Sequence, residues 1–298
     1  MANKLNRVYS LKVRGGDGTL ITITNPITVE FSITRQNLAS LNQATFTIYN
    51  LNERTRLQIY KDPFDPSNVR PIEFYAGYNY DNKPFIARCF AGEIREAYSF
   101  RDGVNYKTVL SCWDGGKAAA VGFGSSTFAA GTPFSSMIRS MVQTMPNILG
   151  SIISPQFDNQ VNARPTTFFG NQLEQLNQVT GNNFYIDNQQ AYALKNDDAI
   201  EGEINLIDEQ LGLINTPRRN QTLVTLSMIF EPRLIPSQVV KLQSSAEPIY
   251  NGIYKLTGIE HNGIISETVA GELTTNVTLL NTNIKNLVKS AIFNYLGA

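Results

Sequence analysis

Histidine is nearly missing from this chain, with one, His261, in 298 residues. That scarcity removes His-based catalytic triads, His-rich metal centres and HExxH metalloprotease arrangements from consideration. Cysteine is almost as rare. Cys89 and Cys112 have neither metal-ligand spacing nor the makings of a disulfide framework, and both are expected as small buried strand residues. Long apolar runs are lacking too, since no segment approaches the ~20 residues of a membrane span. The N-terminal MANKLNRVYSLKV has no apolar core for export, so the expected product is made and used in the cytosol, with no membrane involvement. Asn220-Gln221-Thr222 and Asn276-Val277-Thr278 match the glycosylation pattern only by chance on that reading. Net charge is absent as well: 25 Lys and Arg balance 25 Asp and Glu, which argues against a dedicated nucleic-acid binder. Charged residues make up only 17% of the chain, with Asn, Gln, Ser and Thr in their place, as suits either strands with hydroxyl and amide outer faces or a surface largely covered by partners.

What the chain does have is period-two alternation. Ile27, Val29, Phe31 and Ile33 alternate with Thr28, Glu30, Ser32 and Thr34, and Ala44, Phe46 and Ile48 alternate with Thr45, Thr47 and Tyr49. A short helical turn is expected after Asn52 as cap, with Leu57 at its apolar position. FIARCFAGEIREAYSF and VNYKTVLSCW flank Arg101-Asp102-Gly103, a strong hairpin signal, and Gly92 marks a bulge or bend. About six such strands predict a small antiparallel barrel over residues 1–118.

The composition then shifts. GGKAAAVGFGSSTFAAGT reads as a linker, followed by a helix capped by Thr132 with Pro133 at its first position. Phe134, Met137, Ile138, Met141, Val142 and Met145 form its apolar stripe. A second helix is predicted over Gln172 to Thr180, with Leu173, Leu176 and Val179 inward and Gly181 as its stop. The hairpin NFYIDNQQAYALK follows, so residues 119–198 read as a linker and a small α/β insert. Strands return over 199–283. TLVTLSMIFEPRLIPSQVVKLQSS, Thr222 to Ser245, reads as a hairpin with Val224, Leu226, Met228 and Phe230 on one face and Val240 and Leu242 resuming the alternation. Residues 284–298 carry Ile284, Leu287, Val288, Ala291, Ile292, Tyr295 and Leu296 at helical spacing and predict an amphipathic C-terminal helix. The expected fold is mainly β (α+β), with two β-barrels bracketing the insert. FAGEIREAYSFRDG and LTGIEHNGII echo one another faintly across the two β regions.

No chemistry emerges from this pattern. His261 sits beside a turn in GIEHNG and is expected as a partly exposed hydrogen-bonding residue. Glu93 and Glu96 flank the Gly92 bend, and Asp197, Asp198, Glu201 and Glu203 cluster before the second β region; carboxylates near turns are usually solvated. The glycines of VRGGDG and VGFGSS lack the strand-to-helix setting of a phosphate loop. Trp113, the single tryptophan, is placed in a strand pattern. The expectation is no catalytic, metal or cofactor site.

VTLSMIFEPRLIPSQVVKLQSS, followed by YNGIYKLTGIEHNG, resembles the second tube-like domain of bacteriophage baseplate hub proteins. ITVEFSITRQNLASLNQATFTIYNLNERTR is similar to the start of the same family, and the resemblance covers most of the chain in order. One departure is Ser237-Gln238, where family members often place a glycine before the valine strand. The resemblance implies two tube-like barrels and a structural role without catalysis. It implies a homotrimeric ring joining the six-fold tail tube protein to the three-fold central spike, with other baseplate proteins and the tape measure protein as further candidate partners. Double-stranded DNA would pass through the bore without specific binding, in a virion assembled in the host cytoplasm. The candidate contact residues are Tyr49, Tyr75 and Tyr98 on the outer strand parity and Ile284, Leu287, Val288, Ile292 and Tyr295 on the terminal helix. A tail tube or tube-terminating protein and a tail-associated peptidoglycan hydrolase are the alternative readings.

Overall fold

The computed structural model describes residues 6–65, 68–80, 83–203, 206–289 and 295–296. Alternating apolar residues build the first β region: β1 (Arg7–Arg14), β2 (Leu20–Thr24), β3 (Val29–Gln36), β4 (Gln43–Tyr49), the short helix α1 (Glu53–Ile59), β5 (Pro71–Tyr80), β6 (Lys83–Asp102) and β7 (Asn105–Trp113). All pairings within it are antiparallel, in the order β3-β4-β7-β6-β5-β1-β2. Asn52 caps α1 by accepting from the Thr55 amide, as expected, but the helix buries Ile59 and leaves Leu57 exposed. The β6–β7 hairpin turns at Gly103, whose φ of 60° is the left-handed conformation that glycine adopts most readily. Gly92 is not itself a bulge. The pairing of β6 instead slips at Cys89 against β5 and at Arg95 against β7, one on each side of Gly92, which bends the 20-residue strand over a core of Phe31, Phe46, Phe74 and Phe90.

Close approach of backbones fixes one position in this region. A Cβ on Gly77 of β5 would lie 2.0 Å from the Phe85 carbonyl oxygen of β6. Gly77→Val is expected to destabilise the fold by more than about 2 kcal/mol, since the obstacle is backbone and not a movable side chain. A urea titration checks this, and a midpoint like that of the natural chain would refute it.

The insert is more structured than its composition suggests. The Gly/Ala/Ser stretch expected as a linker forms α2 (Gly116–Val121) and β8 (Phe123–Phe128); β8 pairs with β10, and α2 buries Ala118 in the insert's core. Then come α3 (Phe134–Gln143), β9 (Gly150–Ile153), β10 (Thr166–Asn171), α4 (Gln172–Thr180), β11 (Phe184–Asp187) and β12 (Gln190–Ala193). Pro133 and not Thr132 occupies the cap of α3, while the Thr132 hydroxyl donates to the Ala129 carbonyl. Helix α4 keeps the predicted bounds and ends at Gly181, whose φ is 64°. Met137, Ile138, Met141, Val142, Leu176 and Val179 pack into one core with Phe157 and Phe184.

The second β region contains β13 (Asp198–Ile200), β14 (Leu206–Asp208), β15 (Arg218–Asn220), β16 (Leu223–Ile229), β17 (Val239–Gln243), β18 (Gly252–Ile265) and β19 (Leu273–Leu280). Val224, Leu226, Met228, Phe230, Val240 and Leu242 are all buried, as their alternation requires. Strands β16 and β17 do not form the expected hairpin, however. β17 pairs with β14 and β18, β16 pairs with β15 and β19, and the β18–β19 pair separates them. The connection that avoids a hairpin turns at Ser237, buried with φ of 68°, the left-handed conformation that glycine adopts most readily. The Ser237-Gln238 departure therefore lies at the one point of this connection where glycine would be at ease.

Two separately closed barrels are not what these strands make. Strand β18 changes partners at a bulge between Leu256 and Gly258: its first half pairs with β17, its second half with β3 of the first region, and β19 runs alongside both. The result, among the described residues, is one 14-stranded sheet spanning both regions. Phe230, Ile265 and Leu273 complete the core of the first region, and the Tyr78 hydroxyl donates to the Phe230 carbonyl at 3.0 Å. Period-two patterning specifies which face each strand buries but not which strand lies beside it, so the sharing of β18 has no local signal. The predicted terminal helix is likewise replaced, in its described residues, by strands β20 (Asn286–Val288) and β21 (Tyr295–Leu296). β20 satisfies the open edge of β13 in parallel register, β21 pairs with Ile86–Ala87 of β6, and Lys285 forms an ion pair with Asp197 at 3.3 Å. Tertiary pairing overrides the local helical spacing there.

Candidate functional site

Of the carboxylates near turns, Glu93, Asp197 and Asp198 are held by structural partners. Glu93 is buried and accepts from the Lys117 amide and the Asn147 side-chain amide, while burial pushes its carboxyl up. Glu96 faces Ser111 across the sheet. Asp198, fully buried, accepts from Gln156, Asn286 and the Lys195 amide, and Asp197 accepts from Gln156. Glu201 and Glu203 are exposed. Trp113 is half-buried under the Arg95 guanidinium, 4.5 Å from its ring. Cys89 and Cys112 are buried, and burial pushes the Cys89 thiol up to about 12, where it is a small apolar residue and no nucleophile. Among the described residues no three His, Cys, Asp or Glu side chains are grouped to hold a metal ion.

Instead, the polar side chains converge where the first β region, the insert and the second β region meet. Arg35 ends the apolar parity of β3 and is 1% exposed. Its Nε and Nη2 donate to the two carboxylate oxygens of Asp187 at 2.8 and 2.6 Å, and its Nη1 donates to the Leu234 carbonyl at 3.1 Å. One guanidinium thus joins β3, the tip of the β11–β12 hairpin and the connection between β16 and β17. This bidentate geometry is the strong form of a charge-assisted contact. Asn42 adds to it, donating to Asp187 and the Ile186 carbonyl while accepting from the Gln36 amide.

The hairpin tip is shaped for this contact. Asn188 and Gln189 have φ of 52° and 62°, a two-residue turn of the kind that matches strand twist. Asn188 Oδ1 accepts from the Ala91 amide of β6 at 2.7 Å, and the Gln189 amide donates to Asp114 at 3.0 Å. Burial, with the Asp187 charge close by, holds the Asp114 carboxyl well above the usual carboxylate range. His261 lies in the same core and contradicts the expected exposure: it is fully buried, edge-on to Phe230 at 5.1 Å, with Nδ1 2.8 Å from the Thr275 hydroxyl. An open cleft of about 390 Å³ runs beside the junction, lined by Asn37, Asn182, Asn183, Ser237, Lys255 and Thr257 among others. Burial pushes the Lys255 ammonium down to about 8.

Of the junction residues, the sequence patterns point only to His261, and there as a partly exposed residue. The signal was a charged residue on an apolar parity: Arg35 continues Val29, Phe31 and Ile33, and His261 continues Ile259. The contact residues that were singled out are dispersed. Tyr49 is half-buried with its hydroxyl donating to Glu30, and Tyr98 is exposed and stacked on Phe100. Tyr75 is buried beneath Lys12, which replaces the exposure expected for it. Leu287 is exposed, and Ile284 and Val288 are half-buried, Val288 against Ile200. Tyr295 belongs to β21, and Ile292 lies outside the described residues.

The model of the family described as "Baseplate hub gp41" matches residues 10–267. No curated protein sequence matches the chain. Among solved structures, the 43 kDa tail protein of prophage MuSo2 from Shewanella oneidensis is similar with a TM-score of 0.60 at 8% identity, covering 91% of this chain and 96% of that one. The tail protein from Neisseria meningitidis MC58 gives a TM-score of 0.54 at 10% identity over 93% of this chain and 97% of that one. The Escherichia coli c3393 protein, a component of the type VI secretion system similar to T4 bacteriophage tail proteins gp27 and gp5, gives 0.52 at 9% identity, covering 92% of this chain and 80% of that one. At such identities the likeness is one of fold.

Proposed function

The chain belongs to the baseplate hub gp41 family, a structural component of phage tails, and from that premise we propose that three copies form a ring joining the hexameric tail tube to a trimeric central spike. The observation that carries this reading is the shared strand β18, which fuses two β regions into one sheet with the insert set to the side. A subunit with two β regions offers two tube-like contacts, so three subunits present six to a hexameric tube ring. Closed rings also cover sheet edges such as β2 and β15 that would otherwise invite aggregation. The zero net charge and light charge content suit a protein that works inside an assembly through which DNA leaves. The tail tube protein, the spike and neighbouring baseplate proteins are the partners of this role, the virion tail is its place, and assembly would occur in the host cytoplasm.

The purified protein is expected to have a mass three times that of its 33.1 kDa chain by light scattering, and low-resolution images are expected to show a ring of approximate six-fold appearance. A monodisperse monomer that stays monomeric in the presence of tube protein would refute the reading.

A further inference from the structure

Where β6 and β7 run into α2, the surface opens into a cleft of about 280 Å³. It lies between the segment that follows α1 and the start of the insert. Its lining combines the indole of Trp113 and the apolar side chains of Pro63 and Val69 with three cations, Lys61, Arg95 and Lys117. One carboxylate, Glu93, also lines it, but both of its oxygens are already taken: Oε2 accepts from the Lys117 amide and Oε1 from the Asn147 side-chain amide.

The three cations are short of counter-charge. None of them takes part in an ion pair among the described residues. Lys61 is 5% exposed, and its Nζ donates to two neutral acceptors, the Asp65 and Arg95 carbonyls, at 3.0 and 3.3 Å. Burial pushes its ammonium down, against the longer-range pull of Asp65, Asp62 and Glu93. A buried charge held only by neutral groups is costly, and an incoming anion relieves that cost. Arg95 is exposed and keeps its guanidinium 4.5 Å from the Trp113 ring, within cation–π range, so charge and indole stand at one edge of the same cleft.

We propose that this cleft docks an acidic segment of a partner protein, with Lys61, Arg95 and Lys117 pairing its carboxylates and Trp113, Pro63 and Val69 packing its apolar side chains. Shape and charge favour a peptide over nucleic acid. The cations surround a single notch, whereas a duplex carries its phosphates along an extended strip and is met by a basic excess that this chain lacks. The cleft is open and slightly below the roughly 300–1,000 Å³ of small-molecule pockets, which suits side chains entering from outside better than an enclosed cofactor. The site belongs to each subunit and does not depend on ring formation.

Trp113 is the single tryptophan of the chain, so its emission reports on the cleft directly. A capped peptide of alternating glutamate and leucine is expected to change that emission saturably. The same peptide with glutamine in place of glutamate is expected to bind at least about tenfold more weakly. Raised salt should weaken the glutamate peptide and leave the other unchanged. Lys61→Met is expected to abolish the preference for glutamate, with a urea titration to confirm that the variant folds. The double variant Arg95→Gln/Lys117→Gln changes side chains that are not buried and is expected to lose the preference while keeping the natural urea midpoint. Equal binding of the two peptides, or binding of neither, would overturn the proposal, as would a folded double variant that still favours glutamate. Inorganic phosphate that displaces the peptide at equal or lower concentration would mark a general anion site and overturn it too. Light scattering of the same samples reports assembly separately, so a failed ring leaves this test standing.

Discussion

Replacing Arg35 by alanine is expected to lower the unfolding free energy by about 3–5 kcal/mol, the cost of breaking a buried ion pair by removing one partner. The cost arises from what remains. Asp187 is 2% exposed and would keep a carboxylate with no cation, beside Asp114, whose own carboxyl is already held up by burial and by the Asp187 charge. The Leu234 carbonyl would lose its donor as well. Because Arg35 and its two partners belong to three parts of the chain, the loss should also loosen the insert against the sheet, seen as faster proteolysis between residues 115 and 195. Arg35→Met combined with Asp187→Leu removes both charges at similar volume and is expected to recover most of the loss, since buried pairs often exchange for apolar residues at little cost. Urea titrations of the two single variants and the double variant give the coupling directly. An Arg35→Ala midpoint within about 1 kcal/mol of the natural chain would show that the junction is solvated and not a lock.

Much of this fold was legible because strand burial is a local property. Val29 to Arg35, Ala44 to Ile48 and Val224 to Phe230 bury every second residue, as their alternation requires, and the Gly181 stop of α4 follows from the left-handed conformation that its φ demands. What was not legible was pairing. Nothing in LTGIEHNGII tells that its first residues belong to one region and its last to the other, because the bulge at Thr257 satisfies its backbone through Asn37, far away in sequence. The terminal segment shows the opposite failure, in which a clear helical spacing yields to open strand edges on β13 and β6 that only the folded chain presents. The junction lay between these cases. Arg35 and His261 were visible as polar residues on apolar parities, but Asp187 and Thr275, which explain them, lie 152 and 14 residues away. The short motifs of the family resemblance contain Arg35, Asn42, His261 and the connection around Leu234, but not Asp187, Asp114 or Thr275, the groups that hold them.

His261 gives the second large effect, read through acid. The Thr275 hydroxyl oxygen accepts from the Glu231 amide and shares a second hydrogen bond with His261 Nδ1. Nε2 has no partner among the described residues, and Phe230 closes over the ring. Burial, reinforced by the nearby Arg35 charge, pushes the imidazole from 6.5 down to about 3. Below pH 6.5 the unfolded chain therefore binds a proton at this residue that the folded chain refuses, so stability falls as the pH is lowered toward 3 and is unaffected by this group above 6.5. At ~1.4 kcal/mol for each pH unit, the loss attributable to His261 reaches about 5 kcal/mol at the acid end. Asp114 contributes with the opposite sign, since its raised carboxyl takes up a proton in the folded chain first, so the natural protein shows the sum of the two. His261→Gln isolates the histidine: its urea midpoint is expected to decline less between pH 6.5 and pH 3 than that of the natural chain, by the amount the imidazole contributed. Parallel declines for the two proteins over that interval would mean that His261 accepts its proton in the folded state, and that the core around Phe230 opens to water more readily than its packing implies.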